Sequence, residues 1–482
     1  MKVKKILSML LVCLVATGTL AGCGSDAKSS GGKTADKEIT TLKWYTIGQE
    51  PIDKDLVVAE ANKYLGEKIG VNIDMNFIDY GDYTQKMSVI MNTGENYDLA
   101  FTCSWAGDYL GNARKGAFIE LDPYLDNIGK DMKDEIDQRF WDGAKVDGKT
   151  YAVPNQKEIA TAPMWVFTKE YIDKYDIPHE ELKTLEDLEP WLKVIKENEP
   201  DVVPLYITGG FTPPLYFDLL VEPAGVEYNQ KDLKIKNLFE TKDMKKTLET
   251  LNRYYDLGYI NPDSSTAKTE NTRKRFVTKA DGQPYAEQIW TEELGFEVVA
   301  TQIMDSYITN GSTTGSMIGV SKVSKNPEKS VEFLNFLNTD EYIRNLLNFG
   351  IEGTHYTKND EGKVTLTQKA DNYSVPYYTL GNLFITHVFD SEPLTKWDEF
   401  KEFNNAAKES IALGFKFNAE SVSNQVAAIN NVLEEFKTTV YSGSVDNKEY
   451  LAKFNSKLKE QGLDDIMVEM QKQIDEWGTN NK

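Results

Sequence analysis

Thr41-Leu42-Lys43-Trp44-Tyr45-Thr46-Ile47, Val71-Asn72-Ile73-Asp74-Met75-Asn76-Phe77 and Tyr97-Asp98-Leu99-Ala100-Phe101-Thr102 are three short apolar-rich runs, and what separates them decides the fold. In the second run Val71, Ile73, Met75 and Phe77 alternate with polar residues, the period of a strand. Lys54 to Ile69 reads as a helix, and Asp82 caps another in which Tyr83, Met87, Ile90 and Met91 share a face. Strand and helix alternating in this way imply a mainly parallel sheet in an α/β chain. Ligands of open α/β sheets bind beyond the carboxyl ends of the strands. Those ends carry Trp44-Tyr45, Tyr80-Gly81-Asp82 and Cys103-Ser104-Trp105. Trp44, Tyr45, Asp82, Ser104 and Trp105 are therefore candidate ligand contacts, the alternative being that Trp44 and Trp105 plug the edge of the core.

Outward from this block, Asp147-Gly148 predicts a hairpin turn. Ile159 to Thr168, with Pro163 and Trp165, reads as a segment crossing to a second α/β block. Helical signals run from Lys169 to Glu199, and Val203 to Thr208 is a strand followed by a loop carrying Phe211. Tyr254 to Thr291 is polar and irregular, and its basic cluster Arg273-Lys274-Arg275 is expected on a solvated helix face. Phe296 to Ile308 reads as strand, and Gly311 to Gly315 as a flexible link back. Asn326-Pro327 opens a helix, and a second helix from Asp340 ends at Gly350. From Glu420 the chain is helical, with Trp477 on an apolar face as a packing residue.

The N-terminus adds an address. Lys2, Lys4 and Lys5 precede an apolar run from Ile6 to Ala16, the pattern of a secretory leader. Leu20-Ala21-Gly22-Cys23 resembles a bacterial lipobox, which implies cleavage before Cys23 and lipidation of its thiol. Residues 1–22 are then a signal peptide and 23–40 a lipidated cysteine and flexible tether, rich in Ser, Gly, Lys and Asp. Of three cysteines only Cys103 remains free in the mature protein, so no internal disulfide forms. The net charge of −22 disfavours a nucleic-acid surface.

No catalytic or metal motif stands out. Gly31-Gly32-Lys33-Thr34 fails as a phosphate loop, having Ala27 where glycine is needed and no preceding strand. His179, His355 and His387 are the only histidines, far apart in sequence, and no metal or cofactor is expected. Paired carboxylates are not excluded by any motif, since 76 acidic residues are present. Aromatic residues make up 11% of the chain, which suits a sugar site where a ring packs on the apolar face of a pyranose.

Tyr97 to Phe101 before Trp105, Gly116 to Leu121, Gly319 to Glu328 and Asn348 to Tyr356 together resemble the extracellular solute-binding lipoproteins of bacterial ABC importers, in the carbohydrate-associated branch. Gly414 to Trp477 resembles an uncharacterised domain appended in a subset of them. The resemblance implies a type II, two-lobed periplasmic-binding-protein-like α/β fold with a ligand cleft between the lobes. Lobe I would comprise 41–158 plus 312–360, and lobe II 159–311 plus 361–482 with the helical extension. It implies chain crossings at Ile159 to Pro163, at Gly311 to Ser316 and after Tyr356. Trp105 then contacts ligand, joined by Phe211 and Trp290 from lobe II and by Glu352 or His355 and Tyr356 near the hinge, while Trp165 in the segment Ile159 to Thr168 is a further candidate contact read from the sequence. The implied protein is a lipid-anchored monomer on the outer face of a Gram-positive cell membrane. It captures a mono- or oligosaccharide for ABC permease transmembrane subunits and has no enzymatic activity. The alternatives are a secreted glycoside hydrolase, a surface adhesin, or a receptor for a peptide or polyol.

Overall fold

The structure, a computed structural model, describes residues 39–268 and 273–480. The leader, Cys23 and most of the tether lie outside the described residues. The three opening runs form the parallel heart of the first sheet. Thr40–Ile47 pairs along its whole length with Val71–Ile78 and, through Trp44 and Tyr45, with Leu99–Thr102. Between the first two strands runs the helix Lys54–Ile69, which buries Val57, Ala61 and Leu65 at four-residue spacing and stops at Gly70 in the left-handed conformation. Met317–Val320 returns from far along the chain to lie antiparallel beside Leu99–Thr102, and Ala152–Pro154 closes that edge. The sheet is thus mixed, its antiparallel part supplied by the return of the chain.

Asp147 and Gly148 both have positive φ, and Val146 and Lys149 exchange backbone hydrogen bonds of 2.8 and 3.1 Å across them. This is the expected tight turn, although its flanks form only an isolated bridge.

The second sheet has the order Val298–Gln302, Ala162–Thr168, Arg275–Gly282, Val203–Leu205. It corrects three expectations. Only the residues before Ala162 cross between the lobes, because the continuous apolar run that follows is buried on both faces as a central strand. The polar stretch before Thr291 contains a strand, Arg275–Gly282, and a helix, Ala286–Leu294. Arg275 opens that strand and is buried, its guanidinium 4.2 Å from the centre of the Tyr206 ring, so it is not on a solvated helix face. Thr278, Lys279 and Asp281 disguise this strand as loop.

The core of the second lobe draws Trp165, Phe167, Leu192, Leu248 and Phe276 together with residues of the last three helices, Ser423–Tyr441, Asn447–Glu460 and Leu463–Asn480. Trp477 packs on Phe415 with ring centres 5.9 Å apart, as a packing residue should. The first-lobe core holds Leu42, Trp44, Phe333 and Leu334, and also Tyr373, Val375 and Leu380. The chain therefore does not leave this lobe after Tyr356. Ala407 still lies in the first core and Ala412 in the second, so the third crossing falls between them. There Lys408–Glu409 pairs in parallel with Tyr307–Ile308 at the second crossing. That second crossing is not a loose link: Asn310–Thr313 forms a helical turn capped reciprocally by Thr309 and Ser312.

Candidate ligand-binding cleft

A cavity of about 420 Å³ opens where the crossings meet the first lobe, lined by Trp105, residues 157–161, Ser312, Gly315, Tyr377 and Tyr378. Its size suits a small ligand. Trp105 stands at the end of the third strand with 53% of its surface exposed. Its indole N–H donates to the Gly315 carbonyl at 2.8 Å, and the Ser104 backbone N–H donates to Thr314 at 2.8 Å. The strand-end loop and the second crossing are thereby fastened to each other.

Tyr377 and Tyr378 complete an aromatic corner. Tyr378 meets Trp105 edge-on, with centres 6.3 Å apart and planes at 69°, and Tyr377 at 5.7 Å and 84°. The two tyrosines follow Pro376, whose ring packs on Gly48, where a Cβ would sit 3.2 Å from it. The Tyr378 hydroxyl donates to that of Tyr80 at 3.2 Å. Burial pushes the Tyr377 phenol up to about 12, and burial and then Tyr80 raise that of Tyr378, so both stay protonated and able to donate. Lys157 and Glu158, which line the same cavity, form a largely buried ion pair at 2.6 Å. Asn404 holds this crossing, accepting from the Ile159 backbone N–H and donating to the Lys157 carbonyl, both at 2.9 Å.

Of the residues singled out in the sequence, Trp105 lines this cavity and Ser104 supports it. Trp44 and Trp165 do not reach it: both are fully buried in their respective cores, since each ring belongs to a strand face turned inward. Tyr45 donates to Glu95 at 2.9 Å, and Asp82 pairs with Lys86 at 3.0 Å on an exposed helix start. Phe211 is buried in the second core, and Trp290 packs over Gly282. Glu352 and Tyr356 line a separate hollow of about 330 Å³ with Tyr342 and His387, where Glu352 pairs with Lys358 at 3.0 Å. His355 is buried and faces Asp53 at 3.2 Å. Sequence reasoning missed Tyr377 and Tyr378. Their signal was two adjacent large aromatics in a turn-rich stretch, where no helix or strand period gives both a core to fill.

Residues 48–343 match the family of bacterial extracellular solute-binding proteins. The chain belongs to this family. Residues 411–479 match a domain of unknown function, DUF3502, in agreement with the appended domain expected from Gly414 to Trp477. The solute-binding protein is 35% identical to a carbohydrate ABC transporter substrate-binding protein of Streptococcus pneumoniae, over 97% of this chain and 96% of that one. It superposes on the crystal structure of the N-glycan transport solute-binding protein NgtS from Streptococcus pneumoniae with a TM-score of 0.85, at 34% identity, covering 92% of this chain and all of that one. Against NgtS in complex with Man5GlcNAc the TM-score is 0.70, again at 34% identity, covering 92% and 99%. The two-lobed α/β fold is that of these proteins.

Proposed function

We propose that this protein is the carbohydrate-capturing subunit of an ABC importer, with an oligosaccharide as its ligand. The observation that carries this reading is the corner of Trp105, Tyr377 and Tyr378 in a cleft bounded by the first and second crossings between the lobes. Rings set nearly at right angles offer apolar faces to two sugar units at once, while protonated phenols and the Lys157–Glu158 pair offer partners to hydroxyls. The glycan bound by NgtS supports an oligosaccharide containing mannose or N-acetylglucosamine.

Capture proceeds by closure. The TM-score is 0.85 to one NgtS structure and 0.70 to its Man5GlcNAc complex, which supports a different placement of the lobes here from that in the glycan-bound form. Ligand touching both lobes shifts the equilibrium towards the closed form by its differential affinity for it. The closed protein, a monomer held to the outer face of the membrane through lipidated Cys23, then docks on the permease subunits. Capture without turnover is favoured over hydrolysis because, among the described residues lining the cavity, Glu158 is the one carboxylate and is already paired. The usual hydrolytic mechanism uses two carboxylates.

Calorimetric titration of residues 24–482 with a panel of defined oligosaccharides, followed by mass analysis of the recovered sugar, tests this. Saturable binding of at least one member with the sugar returned intact is expected. Absence of binding across the panel, or cleavage of the sugar, overturns the reading.

A further inference from the structure

The aromatic corner is built on a loop, and the loop is held from beneath by a charge. Arg344 lies in the helix Glu341–Phe349 and is completely buried. Among the described residues it has no ion pair, although an isolated buried cation is costly. Its donors go to the Asn382 carbonyl at 2.9 Å, the Tyr377 carbonyl at 3.0 Å and the Asn348 side chain at 2.9 Å. Burial lowers its pKa to about 9, which leaves it cationic at neutral pH.

The first two acceptors stand at the two ends of the segment that presents Tyr377 and Tyr378 to the cleft. Fully buried Asn155 grips its middle, donating to the Tyr378 carbonyl at 2.7 Å and accepting from the Gly381 N–H at 3.0 Å. Ser316, at the end of the second crossing, donates to the same Tyr378 carbonyl at 2.5 Å. Every bond that Arg344, Asn155 and Ser316 make to this loop is to its backbone, so they fix where the loop runs and leave both phenol rings free to face the cavity. A hydrophobic side chain would fill the site of Arg344 without tying together the ends of the loop.

We propose that Arg344 is a positioning residue for ligand binding, which with Asn155 sets the placement of Tyr377 and Tyr378 against the sugar. This rests on the cleft being the sugar site. Recognition by apposed rings depends on placement to a fraction of an ångström, so a slackened loop weakens binding without removing any group that touches ligand.

A double-mutant cycle in the full mature chain separates positioning from mere stability. Calorimetric Kd for Man5GlcNAc, or for the tightest binder of the oligosaccharide panel if that is another sugar, is measured for R344M, Y378A and R344M/Y378A, alongside R344K, which keeps the charge but not the fork that spans two carbonyls. R344M is expected to weaken binding about tenfold and R344K by an intermediate factor, each at temperatures well below its melting point. The double variant should lose clearly less than the sum of the two single losses, because once the Tyr378 ring is gone only the placement of Tyr377 still depends on Arg344. Additive losses in the double variant, or a lowered melting temperature with unchanged Kd in R344M and R344K, would overturn the proposal. Should R344M fail to fold, R344K and R344K/Y378A carry the same cycle. Failure of the wild type to bind any sugar contradicts the sugar-site reading instead, and so is distinguishable.

Discussion

The indole N–H of Trp105 donates to the carbonyl of Gly315 at 2.8 Å, joining the loop after the third strand to the second crossing of the chain. The bond orients the exposed tryptophan of the cleft and ties it to the segment that joins the two lobes.

Trp105→Ala should therefore weaken sugar binding roughly 10- to 100-fold, the range of a central aromatic contact. Trp105→Phe keeps a ring but loses the bond to Gly315, and its loss should be smaller. Calorimetric titration checks both, and an unchanged Kd in Trp105→Ala would remove this residue from the site.

Trp44 behaves oppositely. Its indole nitrogen is buried with no hydrogen-bond partner among the described residues, and its ring meets Phe333 edge-on at 5.7 Å. Trp44→Ala should cost about 3–5 kcal/mol of stability through the cavity it leaves. Trp44→Phe should cost much less, since it also removes an unsatisfied donor. Urea denaturation measures both, and sugar affinity should be unchanged in Trp44→Phe.

A pH dependence follows from Asp218, which burial raises to about 6 although it accepts from the Ser410 hydroxyl at 2.5 Å. Between about pH 4 and pH 6 the folded state holds this proton and the unfolded chain has lost it, so the group's contribution to stability falls as pH rises through that window. Asp218→Asn should remove the fall and be more favourable relative to wild type at pH 7 than at pH 4, by at most about 3 kcal/mol. Lys416 has the reverse sign: burial lowers it to about 7, so its contribution grows as pH rises from there towards its ordinary value. Denaturation midpoints for Asp218→Asn and Lys416→Met across pH 4 to 9 test both directions.

Cys103 should be inert in the native protein. It is buried, its thiol is raised to about 11 by burial, and its sulfur lies 3.2 Å from the Ala106 carbonyl. At pH 8 only about one molecule in a thousand carries the thiolate. A thiol reagent should react stoichiometrically in denaturant and very slowly without it, and fast native labelling would contradict the burial.

The parts of the fold legible in the sequence were those with a local period. The helix from Lys54 to Ile69 and the alternating strand from Val71 declared themselves because each has one buried face. Arg275–Gly282 did not, because partners far along the chain rather than its own pattern make it a strand. The same distinction explains the site. Trp105 was visible because it ends a recognisable strand, whereas Tyr377 and Tyr378 reach the cavity through Arg344, Asn155 and Ser316, whose bonds span the chain and leave no local signature. Trp44 and Trp165 misled because an aromatic near a rim and an aromatic in a core share one sequence pattern.

The most direct test of the account is small-angle scattering of purified residues 24–482 during titration with mannose- and N-acetylglucosamine-containing oligosaccharides. A saturable fall in radius of gyration at one sugar per protein is expected, with the half-point at the calorimetric Kd and the sugar recovered intact. Binding with no compaction, or no response to any glycan, would contradict it.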